Sequence, residues 1–473
     1  MLFRNDLRVG DNGALSAAVN TGKPVLAAYI LDEESERTRP LGDASRWWLH
    51  HSLAAVAGKL ERLGARLVLR RGATGTVMED LLAETGTDTV LWNRRYDPGG
   101  IAADTTLKQI LRERGLQAES FDGHLLHEPS RLLTGSGSFY KVFTPFWSAL
   151  ARDTEPRDPV DAPKRLDGFS GEVASESLDD LLPLPTSPDW AGGLRECWTP
   201  GEDGAQARLE EFLSGRLEDY SDGRDFPGRP STSRLSPHLA HGEITPYQIF
   251  AALRERGREA GRADIAKFRK EIGWREFCYH LLFHNPHIHE KNFQPGFDAF
   301  PWRSDDEALD VWRRGQTGYP IVDAGMRELW RTGTMHNRVR MIAASFLTKH
   351  LLIDWREGER WFWDTLVDAD PASNPGNWQW VAGCGADAAP YFRIFNPVLQ
   401  GEKFDPDGTY VRRWVPELDG LPARYLHKPW DAPGEMLERA GVTLGETYPH
   451  PVVHHTSARE RALAAYRMMR GDA

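Results

Sequence analysis

The first 125 residues alternate short apolar runs with longer segments in which apolar residues recur at helical spacing. Short apolar runs are typical of buried strands, and periodic segments between them are typical of helices that cover a sheet. This alternation predicts a parallel, doubly wound α/β sheet in residues 1–125. The expected strands are 25–31, 65–69, 89–92 and a weaker segment near 116–121, and the expected helices include 45–63 and 104–114. The first strand should be short, because only Met1, Leu2 and Phe3 precede a polar turn.

The character of the chain changes after the predicted sheet. Pro, Gly, Ser and Asp accumulate from about residue 126 to 200, which is typical of a connector laid over the surface between two domains. Within it, the apolar segment 136–150 predicts a short helix. From residue 201 to 473, apolar stripes at helical spacing recur and strand patterns are rare, so a helical second domain is expected.

Residues 317–396 carry polar and aromatic side chains at spacings that a hydrophobic core does not require. Two helices are predicted first, and Pro320 lies near the start of one while Gly333 ends it. On the second helix, Asn337, Arg340 and Met341 share a stripe beside the apolar one, and such a stripe is most often simply solvated. The turn-rich segment that follows favours a ligand-lined loop instead. Its acidic, amide and aromatic residues are Asp368, Asp370, Asn374, Trp378 and Trp380.

The bulk composition limits the class of protein. With 473 residues, 40% hydrophobic and 27% charged, the chain has room for two domains with full cores. Its three cysteines, Cys197, Cys278 and Cys384, make no metal-ligand spacing, so no bound metal is expected. We find no apolar run long enough to cross a membrane and no leader peptide, so a cytoplasmic protein is expected. The net charge of −11 argues against nonspecific coating of nucleic acid, so any DNA contact must use a local basic patch.

Five motifs in the stretch 317–396 resemble the flavin-binding core of the photolyase/cryptochrome family, namely TGYPIVDAGMREL, MHNRVRM, DWREGER, NWQW and DAAPYFRIFNP. Two more lie upstream, TSRLSPHLAHGEI at 232–244 and EIGWREFCYHLL at 271–282. The resemblance covers nearly the whole chain and is closest to bacterial members that repair cyclobutane pyrimidine dimers. It implies a carbon–carbon lyase that binds FAD and UV-damaged DNA, as a monomer without an obligate protein partner. Reduced FAD would absorb light and pass one electron to a flipped-out dimer, photolyases being among the enzymes for which base flipping is described.

The resemblance implies a set of FAD contacts. The run TSRLS offers hydroxyls and backbone N–H groups around one arginine at a helix start, which suits a pyrophosphate but equally describes a capped surface helix. Asn374 matches the position near flavin N5 where repair enzymes of the family carry asparagine and plant cryptochromes carry aspartate. A neutral amide can accept a hydrogen bond from protonated N5 without repelling the reduced, anionic flavin. The implied FAD residues are Tyr220, Thr232, Ser233, Arg234, Leu235, Ser236, Arg340, Asp368, Asp370 and Asn374.

A second set of residues is implied for the DNA lesion. Two tryptophans and a methionine would make an apolar slot for fused pyrimidines, and Glu271 with Asn337 can pair with the polar edges. By themselves these tryptophans are equally compatible with core packing. The implied lesion residues are Glu271, Trp274, Arg275, Asn337, Met341 and Trp380. Arg224, Arg338 and Arg393 match contacts to the DNA backbone, although solvated or ion-paired arginines would give the same pattern.

Three tryptophans match the electron relay of the family, through which light drives electrons inward to oxidised FAD. They are Trp302, Trp355 and Trp378, which with Glu271 and Asn374 complete the implied catalytic residues. Three of 17 tryptophans are usually core residues, so only their motifs favour the relay. Thr334 departs from the family, because relatives commonly carry tryptophan there.

A second, antenna chromophore is often bound by the first domain in this family. The Asn-Glu pair of folate-binding relatives falls at Gly99 and Gly100 here, which argues against folate and leaves the antenna unnamed. Two other functions stay open. A cryptochrome-type blue-light receptor would be favoured by a long disordered extension after the helical domain, which this sequence does not show. A photolyase of the (6–4) photoproduct would usually carry histidines at the lesion pocket in place of the MHNR pattern at 335–338.

Overall fold

The structure is a computed structural model that describes residues 1–153, 156–256, 261–388 and 392–471. Its contacts divide the chain into two compact units, each assembled from segments distant in sequence. The first unit comprises Met1–Glu218, Ser233–Pro286 and Val367–Ala372, and the second comprises Asp219–Thr232, His287–Leu366 and Ser373–Ala473. The predicted domain boundaries near residues 125 and 200 stay a prediction, because compact units defined by contacts need not coincide with domains.

A five-stranded parallel sheet lies in the first unit, in the order β3-β2-β1-β4-β5. The strands are β1 (Leu2–Phe3), β2 (Ala27–Leu31), β3 (Leu67–Arg71), β4 (Thr89–Asn93) and β5 (Gln117–Phe121). In the register, Leu2 of β1 pairs with Ala28 of β2 on one side and with Trp92 of β4 on the other. The central strand is thus as short as expected, and the doubly wound parallel topology is confirmed.

Helices make up most of the remaining described residues. In chain order they are α1 (Gly13–Asn20), α2 (Asp43–Leu63), α3 (Thr74–Thr85), α4 (Pro98–Glu113), α5 (Phe143–Asp153), α6 (Leu178–Leu181), α7 (Gly192–Cys197), α8 (Glu202–Gly215), α9 (Tyr220–Gly223), α10 (Ser236–Ala240), α11 (Pro246–Arg256), α12 (Arg262–His284), α13 (Asp306–Arg313), α14 (Pro320–Thr332), α15 (Asn337–Ser345), α16 (Trp355–Thr365), α17 (Ser373–Ala382), α18 (Pro397–Phe404), α19 (Thr409–Trp414), α20 (Ala423–Leu426), α21 (Gly434–Arg439) and α22 (His455–Arg470). The predicted helical C-terminal region is confirmed. Within the described ranges, no helix combines the length and apolar character needed to cross a membrane.

The two faces of the sheet bury alternate residues of each strand. Along β2, Ala27, Tyr29 and Leu31 pack with one core cluster, whereas Ala28 and Ile30 pack with another. Helix α2 covers the first face, and helices α3 and α4 cover the second. Because side chains alternate across a strand, a strand buried on both faces reads as a continuous apolar run, which is the pattern seen in the sequence.

The Pro-rich passage 126–200 differs from the expected surface connector. Its apolar residues reach the cores of the sheet: Leu166 joins the cluster under α2, and Val173 joins the cluster under α3 and α4. The backbone also pairs with the sheet region, because Val25 N–H donates to Asp167 O over 2.7 Å. Within the passage, the predicted short helix is present as α5.

Helix α14 of the second unit begins and ends where the sequence predicts. Helix α14 begins at Pro320, and Gly333 follows it with φ +65°, a left-handed conformation that suits glycine. Helix α15 continues at its C-terminal end into a π-helical turn, Phe346–His350, whose five residues are all buried. Such wide turns are rare and often mark functional positions.

Candidate functional site

Buried carboxylates of the predicted FAD set lie together in the first unit. Ser236 O–H donates to Asp368 Oδ2 over 2.6 Å. Asp370 accepts a hydrogen bond from Tyr279 O–H at 2.7 Å and one from Ala372 N–H at 3.0 Å. Both aspartates are buried, so these bonds hold their oxygens in defined directions.

Residues 233–236 of the TSRLS run lie in the first unit and lead into helix α10. Arg234 has φ +55°, which is uncommon outside glycine, and its guanidinium lies 4.3 Å from the ring of Trp198. The helix that follows has only five residues, Ser236–Ala240. The dipole of so short a helix is small, so any phosphate contact would rely mainly on the hydroxyls and N–H groups of the run itself.

The remaining predicted FAD residues belong to the second unit. Tyr220 is buried, and Thr232 is partly buried. Arg340 Nε donates to Met335 O over 2.7 Å, and Arg340 Nη2 donates to Thr334 Oγ1 over 3.4 Å. The hydroxyl of Thr334, a position where relatives commonly carry tryptophan, thus helps to hold Arg340, one of the predicted FAD residues.

Asn374 has a fixed amide orientation within the second unit. Its Nδ2 donates to the backbone oxygen of Glu359 at 3.0 Å and to Glu359 Oε1 at 2.8 Å, and both residues are buried. A carboxylate and a carbonyl can only accept, so the nitrogen of the amide must face Glu359. The amide oxygen of Asn374 is thereby presented away from Glu359 as an acceptor.

The three tryptophans predicted for the electron relay also lie in the second unit, on adjoining segments. Trp355 and Trp378 are buried, whereas Trp302 is partly exposed. The indole of Trp378 packs against Gly358, one turn after Trp355, where an added Cβ would lie only 2.1 Å from the ring. Arg303 N–H donates to Leu352 O over 2.7 Å, which joins the segment of Trp302 to the one that leads into Trp355.

Predicted lesion residues in the first unit share helix α12. Glu271, Trp274 and Arg275 are spaced by three and four residues, so they lie on one side of the helix. Trp274 stacks on Phe143 of α5 with 3.7 Å between ring centroids and 7° between the planes. Glu271 is partly buried and lies 3.8 Å from Lys267.

Arg275 is held by a neighbouring segment of the first unit. Its Nη1 donates to His124 O over 2.9 Å, and its Nη2 donates to His124 Nε2 over 2.8 Å, with the side chain only 10% exposed. Burial and this arginine together lower the pKa of His124 well below its usual value, so the ring is neutral and Nε2 can accept from Arg275. Arg275 thus positions the segment around His124, and its lesion contact stays a prediction.

The second unit holds the other predicted DNA residues. Asn337 is exposed, and Met341 and Trp380 are partly buried. Two of the predicted backbone-contact arginines meet one carboxylate: Arg338 Nη2 lies 2.8 Å from Asp225, and Arg224 Nε lies 3.8 Å from it. Their third companion, Arg393, is exposed.

Comparisons with known proteins place the chain in a family. Residues 1–164 match DNA photolyase, and residues 268–468 match the FAD binding domain of DNA photolyase. The deoxyribodipyrimidine photo-lyase of Agrobacterium fabrum is 60% identical over 464 residues, covering 98% of this chain and 96% of that protein. The chain belongs to the photolyase/cryptochrome family.

Solved structures of photolyases match the chain along its length. A bacterial class III photolyase from Agrobacterium tumefaciens superposes with a TM-score of 0.97 at 59% identity, covering 99% of this chain and 97% of that one. An archaeal photolyase from Sulfolobus tokodaii has a TM-score of 0.81 at 29% identity and covers 99% of each chain. The latter structure contains two FAD molecules, with the implication of a novel light-harvesting cofactor. This member of the photolyase/cryptochrome family thus carries an FAD-binding domain, as predicted.

In each unit, predicted FAD residues have chemistry that suits FAD. Asn374 offers an uncharged acceptor of fixed direction, which suits the N–H of a reduced flavin ring. Ser236, Asp368 and Asp370 offer a hydroxyl and carboxylates that are already oriented by hydrogen bonds. The motif DAAPYFRIFNP includes residues 389–391, which lie outside the described residues.

Sequence reasoning missed several residues of this site. Glu359 lies in the quoted motif DWREGER, four residues after Trp355, and that helical spacing was a usable signal. Tyr279 and His124 gave no comparable signal, because their partners Asp370 and Arg275 are 91 and 151 residues away.

Glu276, beside Arg275 on helix α12, predicts a pH-dependent stability. Its carboxylate accepts from Leu126 N–H at 2.9 Å, and burial, partly opposed by Arg275, raises its pKa from 4.5 to about 7. The folded state therefore favours the protonated acid, and this contribution is full below about pH 4.5 and is lost as pH rises through about 7. We expect Glu276→Gln, which keeps an acceptor, to raise the free energy of unfolding by about 1–3 kcal/mol at pH 8 and little at pH 5. Urea denaturation of the wild type and the variant at pH 8 and pH 5 measures this difference in the free energy of unfolding. An equal difference at the two pH values would contradict the prediction.

Proposed function

We propose that this protein repairs cyclobutane pyrimidine dimers in DNA, using light and bound FAD. When bound and reduced, FAD supplies the electron that splits the dimer and takes it back, so the protein binds, orients and shields the reactants. The name of the relative that is 60% identical over 98% of this chain supports the assignment. The cryptochrome-type receptor and the (6–4) enzyme are less supported alternatives.

The observation that carries the proposal is the state of Asn374. The Glu359 carboxylate holds the amide nitrogen, so the group presented to the flavin is a neutral oxygen. A reduced flavin is anionic, and an ionised side chain beside it would repel the electron-rich ring that repair requires. An amide locked in this direction therefore suits an enzyme that keeps FAD reduced.

We assign the lesion contacts to side chains of matching chemistry. Trp274, already stacked on Phe143, offers the flat apolar surface that extruded pyrimidines need. Glu271 offers a carboxylate to the N–H groups of the pyrimidine edge, and the exposed amide of Asn337 offers a donor and an acceptor. Met341 and Trp380 supply further apolar surface. Arg275 serves by holding the segment around His124.

The DNA backbone contact falls to exposed arginine. Arg393 is exposed, so its guanidinium can meet a phosphate. Arg224 and Arg338 lie beside Asp225, so a phosphate would have to compete with that carboxylate. The partner is UV-damaged DNA, and the protein acts as a monomer in the cytoplasm. At position 334, where relatives commonly carry tryptophan, the Thr334 hydroxyl accepts a hydrogen bond from Arg340 instead.

A second chromophore in the first unit completes the proposal. Folate is a poor candidate for it, because the structure leaves no space for side chains at positions 99 and 100, where folate-binding relatives carry an Asn-Glu pair. An added Cβ at Gly99 would lie 2.7 Å from Arg37 O, and one at Gly100 would lie 2.6 Å from Asp97 Oδ1. We therefore leave the antenna unnamed while keeping it in the proposal.

Repair of a thymine-dimer oligonucleotide tests the proposed function. Reduced protein with bound FAD is mixed with the oligonucleotide under blue light and in a matched dark sample, and intact thymines are counted by chromatography. We expect recovery in the light alone. Without recovery, a (6–4) oligonucleotide is tried next; repair of that lesion would support the second enzyme, and repair of neither would favour a light receptor.

Two substitutions on helix α12 test the lesion assignment. Glu271→Ala and Trp274→Ala should each weaken binding of a dimer-containing duplex by roughly 10- to 100-fold, because a hydrogen-bond acceptor or a stacking surface is lost. FAD content should remain that of the wild type. Fluorescence anisotropy with damaged and undamaged duplexes gives the affinity ratio, and flavin absorbance gives the FAD content.

Lys267→Ala is the matched control for this experiment. It removes the side chain one turn before Glu271 and 3.8 Å from it, while leaving the carboxylate in place. We expect it to lower the affinity for damaged and undamaged DNA alike and to leave their ratio unchanged. Loss of FAD from the α12 variants, with normal lesion affinity in the protein that retains it, would overturn the assignment.

A further inference from the structure

Lys349 is a buried amine that the proposed chemistry does not use. It belongs to the π-helical turn Phe346–His350 of the second unit and has 0% exposure. Among the described residues, no hydrogen-bond partner lies within reach of its Nζ. The nitrogen lies 3.4 Å from the centroid of the Phe392 ring. A lysine with so few polar contacts is unusual, because burying an ammonium group without partners is costly.

The surroundings of Lys349 lead to the outer end of the tryptophan relay. The centroid of Phe392 lies 5.7 Å from that of Phe300, which lies 4.3 Å from that of Trp302. Gly383 lies beside Lys349 and Phe392: a Cβ added there would lie 3.5 Å from Phe392, 3.5 Å from Phe297 and 3.7 Å from Lys349 Nζ. The buried Lys349 is thus joined to the partly exposed Trp302 through an aromatic cluster made of the rings of Phe392 and Phe300.

A charge inside such a cluster acts over a long range. Electrostatic interactions between buried groups are only weakly screened, because few water dipoles or ions lie between them. Burial lowers the pKa of Lys349 from 10.5 to about 7. The amine therefore changes its charge close to neutral pH.

Other titratable groups around the π-helical turn leave this charge uncompensated. Cys384 is the neighbour that acts on Lys349 electrostatically, and burial raises the pKa of its thiol to about 12, so the thiol stays neutral. On helix α22, His455 lies 2.9 Å from His350 Nε2, and Arg461 donates to His350 O over 2.6 Å. Both groups therefore engage the neighbouring histidine.

The helices on the other sides add no counter-charge in the part of the chain that the structure describes. At the start of α16, Asp354 and Arg356 pair with each other at 2.9 Å. Tyr466 of α22 stacks on Phe392 with a centroid distance of 4.6 Å and is uncharged as a phenol. Asp298 is bound by Asn292 Nδ2 over 2.6 Å. The charge on Lys349 is thus felt mainly by the aromatic cluster.

We propose that the charge state of Lys349 controls how well Trp302 holds the positive charge left when it gives an electron to the relay. The inference rests on our assignment of Trp302, Trp355 and Trp378 to the electron relay implied by the family. In the step concerned, one electron moves from neutral Trp302 to the Trp355 radical cation left by the preceding relay step, so Trp302 becomes the cation, Trp355 returns to neutral, and no proton moves to Lys349. A neutral amine leaves the oxidised Trp302 undisturbed. An ammonium group in the same cluster repels it and drives the electron back.

Two variants of the FAD-bound protein separate charge from packing. Lys349→Met keeps the apolar chain and removes the charge, and Lys349→Arg keeps a permanent charge. Transient absorption after a laser flash measures the yield of long-lived oxidised tryptophan at pH 6 and pH 8.5. In the wild type we expect the yield of oxidised tryptophan to be on the order of 3- to 10-fold higher at pH 8.5 than at pH 6. This factor corresponds to the repulsion between two like charges at a dielectric constant between those of dry protein and water. Lys349→Met should give the high yield at both pH values, and Lys349→Arg the low yield at both.

Thermal unfolding provides a readout that does not depend on photochemistry. Because the folded-state pKa of Lys349 is depressed, the unfolded chain binds more protons between pH 7 and 10, so wild-type stability should rise with pH relative to Lys349→Met. Melting temperatures at pH 6.5 and 9 test this even if Lys349→Arg does not fold. An equal pH dependence of tryptophan oxidation in the wild type and Lys349→Met would overturn the inference. Absence of tryptophan oxidation in every variant would instead overturn the relay on which it rests.

Discussion

Trp378→Phe should slow the light-driven reduction of oxidised FAD by at least roughly 10-fold. Phenylalanine is much harder to oxidise than tryptophan, and a tenfold slower rate requires only about 1.4 kcal/mol of additional activation free energy. Trp378 is a buried member of the proposed relay and packs on Gly358 of α16. Bleaching of oxidised flavin under blue light, with an external reductant present, measures the rate. Repair by chemically reduced protein should stay within about twofold of the wild type, since that reaction starts from reduced FAD and does not use the relay.

The matched control for this variant is Trp312→Phe. Trp312 is equally buried and touches Trp378 edge to face, with 6.1 Å between ring centroids, but it does not belong to the proposed relay. Both variants lose similar volume and should lose about 1–2 kcal/mol of stability. If Trp312→Phe slows photoreduction as much as Trp378→Phe does, the effect comes from packing. Equal rates in Trp378→Phe and the wild type would remove Trp378 from the relay.

Asn374→Asp should lower repair by a factor on the order of 10–100, because a carboxylate would replace a neutral amide beside a reduced flavin. The same change places a second carboxylate against Glu359, whose Oε1 now lies 2.8 Å from the amide nitrogen. Two buried carboxylates at that distance cannot both ionise, so the pair retains one proton and one pKa rises. We expect the variant to lose about 2–4 kcal/mol of stability at pH 8.

The sign of the pH effect follows from this raised pKa. In the folded variant the pair holds a proton that the unfolded chain releases near pH 4, so the stability associated with that proton is full at low pH. This stability is lost as pH rises through the raised pKa of the carboxylate pair. Asn374→Asp should therefore be less destabilised at pH 5 than at pH 8, as measured by urea denaturation. A pH-independent loss of stability would contradict the shared proton.

A compensating change at Glu359 separates folding from chemistry. In Asn374→Asp combined with Glu359→Gln, the donor and the acceptor of the side-chain hydrogen bond exchange places, so that bond and one negative charge remain. The bond from Asn374 Nδ2 to the backbone oxygen of Glu359 is lost, so we expect the double variant to recover only part of the stability at pH 8. Repair should stay low, because the negative charge is now at position 374. Recovery of repair together with stability would mean that the Asn374 oxygen matters only for folding.

The local elements of the fold were largely predictable from the sequence. The sheet followed from short apolar runs between periodic segments, and the structure confirms its parallel strands. The bounds of α14 followed from Pro320 and Gly333, because a proline can start a helix and a glycine at φ +65° can end one. Such features depend on a few neighbouring residues, which is why spacing alone reveals them.

The site was predictable in part. Motif resemblance pointed to Asn374 and to the relay tryptophans, and the structure places these residues in one unit. The same resemblance also made Arg275 a lesion contact, whereas its guanidinium is held by His124, 151 residues away. A motif identifies which residues stand at a position but does not show which distant group they meet. The contact of Trp274 with Phe143 was hidden for the same reason.

The sequence by itself determined the helices and strands of this protein, its family, and the chemical types of residue available for flavin and DNA. Only the tertiary structure decided how those residues are used: Glu359 holds the Asn374 amide, and Asp225 meets two arginines. It also decided that Lys349 is fully buried among aromatic rings. The physical reason is that hydrogen-bond direction, ion pairing and pKa depend on burial and on neighbours from distant segments. The spacing of residues along the chain reveals neither burial nor contacts with distant segments.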